Sequence, residues 1–313
     1  MQNHSMPQTA GSAHPGMMSR HKRCRELWLS LATAGPGVFW LVFFLLVPFG
    51  LIAVISFLSR GPHGEIGLPW TLENYLRFCG FGLLGYDPLF PLILFRSLML
   101  GAVTVLFCVG LGFPLAFFIA GLDGRHRNLA LTLVIIPLWT NLLIRTYAWQ
   151  ILLAHDGWLS ALAAFLGLIS PGEALYPGWT AVTLGMVCDF LPFLVLPLYA
   201  SVEKLDWNLV EAAMDLGASG AQVFRHAILP QVMPGLLAGV LLVFIPAVGQ
   251  FVVPDLLGGA KILLLGNAIQ LEFGSSNDWP FGSAITLLAM GLVMTGLWFY
   301  ARMMGRRQEV GIL

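Results

Sequence analysis

GWTAVTLGMVCDFLPFLVLPLYA, residues 178–200, is followed by Leu209-Val210-Glu211-Ala212-Ala213-Met214-Asp215-Leu216-Gly217-Ala218-Ser219 and then by a second apolar run at 233–253. The first run carries one charged side chain, Asp189. About 20 apolar residues suffice to cross the hydrocarbon core of a bilayer. Both runs therefore read as spanning helices, and 201–232 reads as the loop that joins them.

Four more stretches outward from this pair meet the same criterion. The six spans read as Gly35–Leu58, Ser97–Leu122, Leu129–Leu152, Gly178–Ala200, Met233–Val253 and Phe281–Met304. The chain is 58% hydrophobic and 10% charged, with a mean hydropathy of +0.81. A soluble domain carries about 25% charged residues, so lipid must cover most of this surface. The fold class is all-α: a polytopic membrane protein with six transmembrane helices. Net charge is zero, and bulk charge gives no argument for nucleic-acid binding. The four cysteines, Cys24, Cys79, Cys108 and Cys188, form no CxxC pair and no metal-like spacing. No metal ligands are assigned.

Positive charge sets the orientation. With the N-terminus in the cytoplasm, eleven of the sixteen Lys and Arg lie inside, among them Arg20, Lys22, Arg125, Arg127, Lys204, Arg225 and Arg302. Both termini are expected on that side. Residues 1–26 read as a disordered cytoplasmic tail, 27–305 as the membrane domain and 306–313 as a cytoplasmic C-terminal tail. The apolar run after residue 26 is too long for the core of a cleaved signal peptide. On the outer side Glu65, Glu73, Asp87, Asp156, Glu173, Asp255, Glu272 and Asp278 outnumber Arg60, Arg77, Arg96 and Lys261 two to one. Such a surface is either ordinary loop polarity or one that favours a cationic solute or a basic partner.

In the 201–232 loop, Leu209, Ala213 and Leu216 recur at helical spacing and predict one apolar stripe. Glu211 and Asp215 stand four apart on one polar face. Ala212 and Ala213 keep the helix slim, and Gly217 is placed to end it in the left-handed conformation. Pro230 and Pro234 are expected to break the chain before the next span. A short, slim, acidic-faced helix on the cytoplasmic side is shaped to sit in a groove of another protein.

These residues resemble the Glu-Ala-Ala loop of binding-protein-dependent ABC importers. Glu211, Ala212, Ala213, Gly217, Leu229 and Pro230 match in register, and Ala227 stands where that family usually has Ile. Ile135-Ile136-Pro137-Leu138-Trp139-Thr140, Leu143-Ile144-Arg145-Thr146-Tyr147-Ala148-Trp149, Leu242–Gly249 and Asn277-Asp278-Trp279-Pro280 are similar to segments of the spermidine/putrescine permeases. The resemblance runs from about residue 30 to 305. It implies a type I ABC importer permease of the bacterial inner membrane, with a coupling helix that docks into a cytoplasmic ATPase dimer. Glu211 would contact the ATPase, Ala212, Ala213 and Asp215 would belong to the same coupling helix, and Gly217 would allow the turn. It further implies a second homologous permease subunit and a periplasmic or external binding protein.

No G-x-x-x-x-G-K-[ST] occurs in the chain, so no phosphate-binding loop is expected here. ATP and Mg would belong to the partner ATPase, and this chain would bind no cofactor. HExxH and GxSxG are also absent, and no catalytic residue is assigned.

Within the membrane, Asp189 is expected to face a partner or a wet path. Counted at about 1.5 Å per residue, Arg145 and Asp189 lie roughly 10 and 16 Å below the outer surface. They form either a structural ion pair or, for Asp189, a carboxylate that receives an ammonium group. A polyammonium solute also needs aromatic faces, for which Trp139, Tyr147, Trp149 and Phe190 are candidates against a packing role. Gln250 sits where Pro246 and Pro254 interrupt the fifth span, a place where polar backbone meets a path. Gly235 and Gly239 form a GxxxG for close helix packing, within the chain or against a second permease. The implied function is half of a translocation path for putrescine or spermidine. Alternatives are an importer for another small solute (iron, thiamine, opine or amino-acid-like) and an ion-coupled secondary transporter.

Overall fold

The computed structural model describes residues 20–61, 64–82, 85–170, 172–259 and 261–310. Its helices in chain order are α1 Arg20–Ile55, α2 Glu73–Phe78, α3 Leu89–Ala120, α4 Gly124–Trp139, α5 Leu142–Leu153, α6 Trp158–Phe165, α7 Trp179–Val202, α8 Trp207–Asp215, α9 Gly220–Val223, α10 Leu229–Gly249, α11 Val252–Leu257, α12 Leu265–Phe273 and α13 Trp279–Val310. Five stretches are long and apolar enough to cross a membrane as continuous helices, or six if the bent pair α4–α5 counts as one span. The chain divides into two compact units, residues 1–52 and 53–313. The first contains most of α1.

Helix α1 begins at Arg20, six residues inside the expected disordered tail. Arg, Lys, Glu and Leu at 20–27 are good helix formers and extend an existing helix without a new nucleus. Residues 1–19 lie outside the described residues.

In the second unit, the chain between α1 and α3 forms two small antiparallel hairpins, Leu58–Arg60 with Ile66–Trp70 and Phe81–Gly82 with Gly85–Tyr86. Asn74 of α2 donates to the carbonyls of Ser56 and Leu58, each at 2.9 Å, where the chain leaves the first span. Three residues shorter than expected, that span gives up its last turn to this side-chain partner.

Helix α7 is the centre of the unit. It packs between α3 and α10, and 61% of its most apolar window is buried, so lipid does not reach most of it. The two glycines of the GxxxG seat α10 against this same helix. A Cβ on Gly235 would strike the Pro197 carbonyl and Ser201, and one on Gly239 would lie 3.0 Å from the Leu194 carbonyl oxygen. The motif is an intrachain contact and is not available to a second permease. Gly235→Val is expected to overpack this contact at a cost of roughly 1–3 kcal/mol, read as a lower thermal midpoint in detergent.

Two expectations about helix breaks are corrected. Pro230 and Pro234 do not break the chain: the helical path runs continuously from Gly220 to Gly249. A π-turn at Phe224–Ile228 precedes Pro230, which sits in the first turn of α10. The wider turn takes up the clash between a proline ring and the carbonyl four residues earlier. Conversely, the third span is not one helix. It bends by 97° between α4 and α5. Pro137 lies near the end of α4, Thr140 is extended, and the Asn141 side chain caps α5 by accepting from the Leu143 amide at 2.8 Å. Asn is a strong N-cap, and a cap starts a new helix.

Candidate functional site

The candidate in the expected cytoplasmic loop is α8. Asp206 caps its N-terminus, accepting from the Asn208 amide at 3.0 Å. Gly217 ends it at φ +79°. The Gly217 amide donates to Met214 O and the Ala218 amide to Ala213 O, at 2.9 and 3.2 Å, the paired closure expected of a left-handed glycine. The expected apolar stripe is corrected. Val210 is buried and Ala213 half-buried against the body of the protein, whereas Leu209 is 54% and Leu216 88% exposed. Val210 and Ala213, three apart, give α8 its inward face. Glu211, Ala212 and Asp215 point away, exposed, with Leu209 and Leu216 beside them. A water-exposed acidic helix flanked by exposed leucines has the composition of a docking surface.

The membrane candidate is built around the bend. Arg145, in the first turn of α5, reaches α7, with its Nε 2.5 Å from Asp189 Oδ1. Its Nη1 donates to the Pro137 carbonyl, which also accepts from the Thr140 hydroxyl at 2.7 Å. One guanidinium thus joins the end of α4 to the middle of α7. Asp189 is 4% exposed, and its Oδ2 has no hydrogen-bond partner among the described residues. The Arg145–Asp189 pairing anticipated from depth is therefore present.

Beside the pair lies an apolar cleft of about 620 Å³ between α3, α4 and α7, lined in part by Leu133, Val134, Pro137, Arg145, Trp149 and Leu191. Of the aromatic candidates, only Trp149 lines it. Phe190 is buried in the core around α7, while Trp139 and Tyr147 are 83% and 51% exposed. Gln250 lies at the second break, between α10 and α11, with an extended backbone and its side-chain oxygen 3.1 Å from the Phe251 amide. Asn267 donates to the Phe251 carbonyl at 3.1 Å. The half-helices α5 and α11 pack on each other and on α7, so the two breaks belong to adjacent elements.

Of the eight acidic residues expected on the outer side, two are not free surface. Asp278 is 2% exposed and receives Arg77 Nη1 at 2.8 Å, with Arg60 Nη1 at 3.7 Å. Its Oδ1 accepts from the Phe281 amide at the start of α13. Glu272 is buried beside it, and desolvation pushes its carboxyl above the usual range. Asp278 fastens the first hairpin, α2 and the start of α13. The sequence counted their charges correctly, but only the fold brings two arginines onto one of them. Asp278→Ala is expected to leave Arg77 without its carboxylate and to loosen the outer loops, read as faster proteolysis of residues 58–82.

Residues 111–309 match the family described as "Binding-protein-dependent transport system inner membrane component". The chain is 44% identical over 274 residues to the spermidine/putrescine transport system permease protein PotB of Escherichia coli strain K12, covering 87% of this chain and 97% of that one. It is 41% identical over 263 residues to the protein of the same name from Haemophilus influenzae, covering 84% and 90%. Among solved structures, a bacterial ABC transporter involved in the import of the acidic polysaccharide alginate superposes with a TM-score of 0.66 at 16% identity, covering 91% of this chain and 98% of that one. At that identity the likeness concerns the fold, and it agrees with the type I permease architecture. With this family match and these relatives, the chain belongs to the family of inner membrane components of binding-protein-dependent transport systems and is a multi-pass permease subunit of an ABC importer.

Proposed function

We propose that this chain forms half of a translocation path for putrescine or spermidine. A separate cytoplasmic ATPase dimer drives it through α8, a second homologous permease completes the path, and a periplasmic binding protein delivers the solute. The observation that carries the energy-coupling part is the outward face of α8, where Glu211 and Asp215 stand exposed between exposed leucines. The solute assignment rests on the name that relatives at 41–44% identity carry. The chain itself is not an enzyme: ATP and Mg are held by the ATPase, and both termini lie in the cytoplasm with α8.

The two helix breaks support a path on their side of the protein. Non-helical backbone at membrane depth is tolerated only against protein or a water-filled cavity. Thr140 and Asn141 are exposed on this chain, so a second permease or the aqueous path covers them. Trp139, Tyr147, Trp149 and Gln250 are its candidate lining. Asp189, held by Arg145, shapes the wall of that path, and Phe190 packs behind it.

The test is reconstitution in vesicles with the ATPase, the second permease and the binding protein. Putrescine or spermidine is expected to stimulate ATP hydrolysis and to accumulate, while iron, thiamine and opines do neither. Stimulation by one of those solutes instead overturns the polyamine assignment. Uptake that collapses with an uncoupler at constant ATP overturns the ATP-driven reading.

A further inference from the structure

We infer that Arg127 is a positioning residue of the transport cycle: through Glu203 it ties the α4 half-span to the segment bearing α8, so that movement of the docking helix reaches the bend at Thr140–Asn141. This rests on the reading that α8 docks on an ATPase.

Arg127 lies in the first turn of α4. Its Nη1 donates to Glu203 Oε1 at 3.0 Å, and its Nε and Nη2 donate to the Leu122 carbonyl, each at 3.3 Å. Glu203 ends α7 and stands three residues before Asp206, the residue that caps α8. Asp206 is in turn fixed to α10, its amide donating to Gln231 Oε1 at 2.9 Å. The Glu203–Asp206 segment therefore moves with the base of the docking helix.

Helix α4 itself has no buried residue. On its inner side lies the cleft of about 620 Å³, so part of its apolar face lacks packing. At its far end the Pro137 carbonyl is held by Arg145, which is bound to Asp189 of α7. The half-span is thus fastened to α7 by polar contacts at its two ends, with poor packing between them. Apolar packing resists displacement only in proportion to the contacts it makes. What α4 does is therefore set at its ends: one end is the bend and the other is the Arg127–Glu203 pair. Both side chains of that pair are partly solvated, and such pairs add little to stability. Removing it is expected to cut the tie and leave the fold.

The assembled complex in vesicles provides the test. Arg127→Gln and Glu203→Gln are each expected to lower solute uptake per ATP hydrolysed by at least about fivefold, the low end of site-to-site coupling. Complex yield and thermal midpoint are expected to match wild type. The exchange R127E/E203R is expected to restore most of the ratio. An unchanged ratio in both single variants overturns the inference, as does a loss of uptake that tracks a falling midpoint and that the exchange does not rescue. If wild-type complex shows no hydrolysis stimulated by the binding protein, the docking reading of α8 fails as well. Intact coupling in both wild type and variants overturns the Arg127 tie alone.

Discussion

Arg145→Ala is expected to cost the folded permease roughly 3–5 kcal/mol, because it leaves a buried carboxylate uncompensated. Asp189 is 4% exposed and pairs with Arg145 alone among the described residues. The same change takes a donor from the Pro137 carbonyl at the bend. The measurements are the yield of monodisperse protein in detergent and its thermal midpoint. In the double variant R145L/D189L no charge is left buried, and replacing both members of such a pair with apolar groups is often neutral. Its midpoint is expected to return to within a few degrees of wild type while uptake stays low, because the polar tie of α4 to α7 at the bend is gone. Full recovery of uptake with the midpoint would show that neither side chain is needed in the path. Asp189→Asn keeps shape but removes the charge that holds Arg145, so it is expected to lower yield and uptake together.

The second large effect belongs to α8. Glu211→Arg reverses a charge on a side chain that is exposed and has no ion pair among the described residues. Yield and thermal midpoint are expected to stay at wild-type values. Co-purification of the ATPase is expected to fall by at least about tenfold, since like charges set against each other at an interface cost several kcal/mol. Uptake should fall to background with it. Undiminished ATPase capture would remove Glu211 from the docking surface. Gly217→Ala attacks the same helix by another route. No atom lies within 4 Å of the added Cβ, so the penalty is that of the left-handed backbone alone, φ +79°, about 1–2 kcal/mol. It is expected to shift the end of α8 and weaken capture less than the charge reversal.

Several features were legible without coordinates because they depend on local chemistry. Apolar runs near 20 residues have to cross a bilayer or be buried, and five of the six form continuous helices. Gly217 was legible because few other residues occupy a left-handed cap. The break in the third span was also written in the chain, in Pro137 followed by Asn141, but a uniform hydropathy reading passes over a cap. Pro230 misled in the opposite sense. A proline signals a break only when the preceding turn cannot widen, and a π-turn at 224–228 widens it.

The remainder depended on which surfaces meet. Leu209 and Val210 are equally apolar neighbours, and periodicity alone cannot say which one faces inward. Packing buries Val210 and leaves Leu209 out. The GxxxG at Gly235 and Gly239 fits either a partner or a neighbour, and α7 occupies it. Asp278 reads as one more outer carboxylate until Arg60 and Arg77, some 200 residues away in sequence, close on it. By itself the sequence determined that this chain is a multi-pass helical membrane protein and that a slim acidic helix ends at Gly217, because transfer of apolar runs into lipid and left-handed glycine caps are local properties. Only the tertiary structure decided that Arg145 bridges a bent half-span to α7 and which face of α8 is free, because those depend on contacts between residues far apart in the chain.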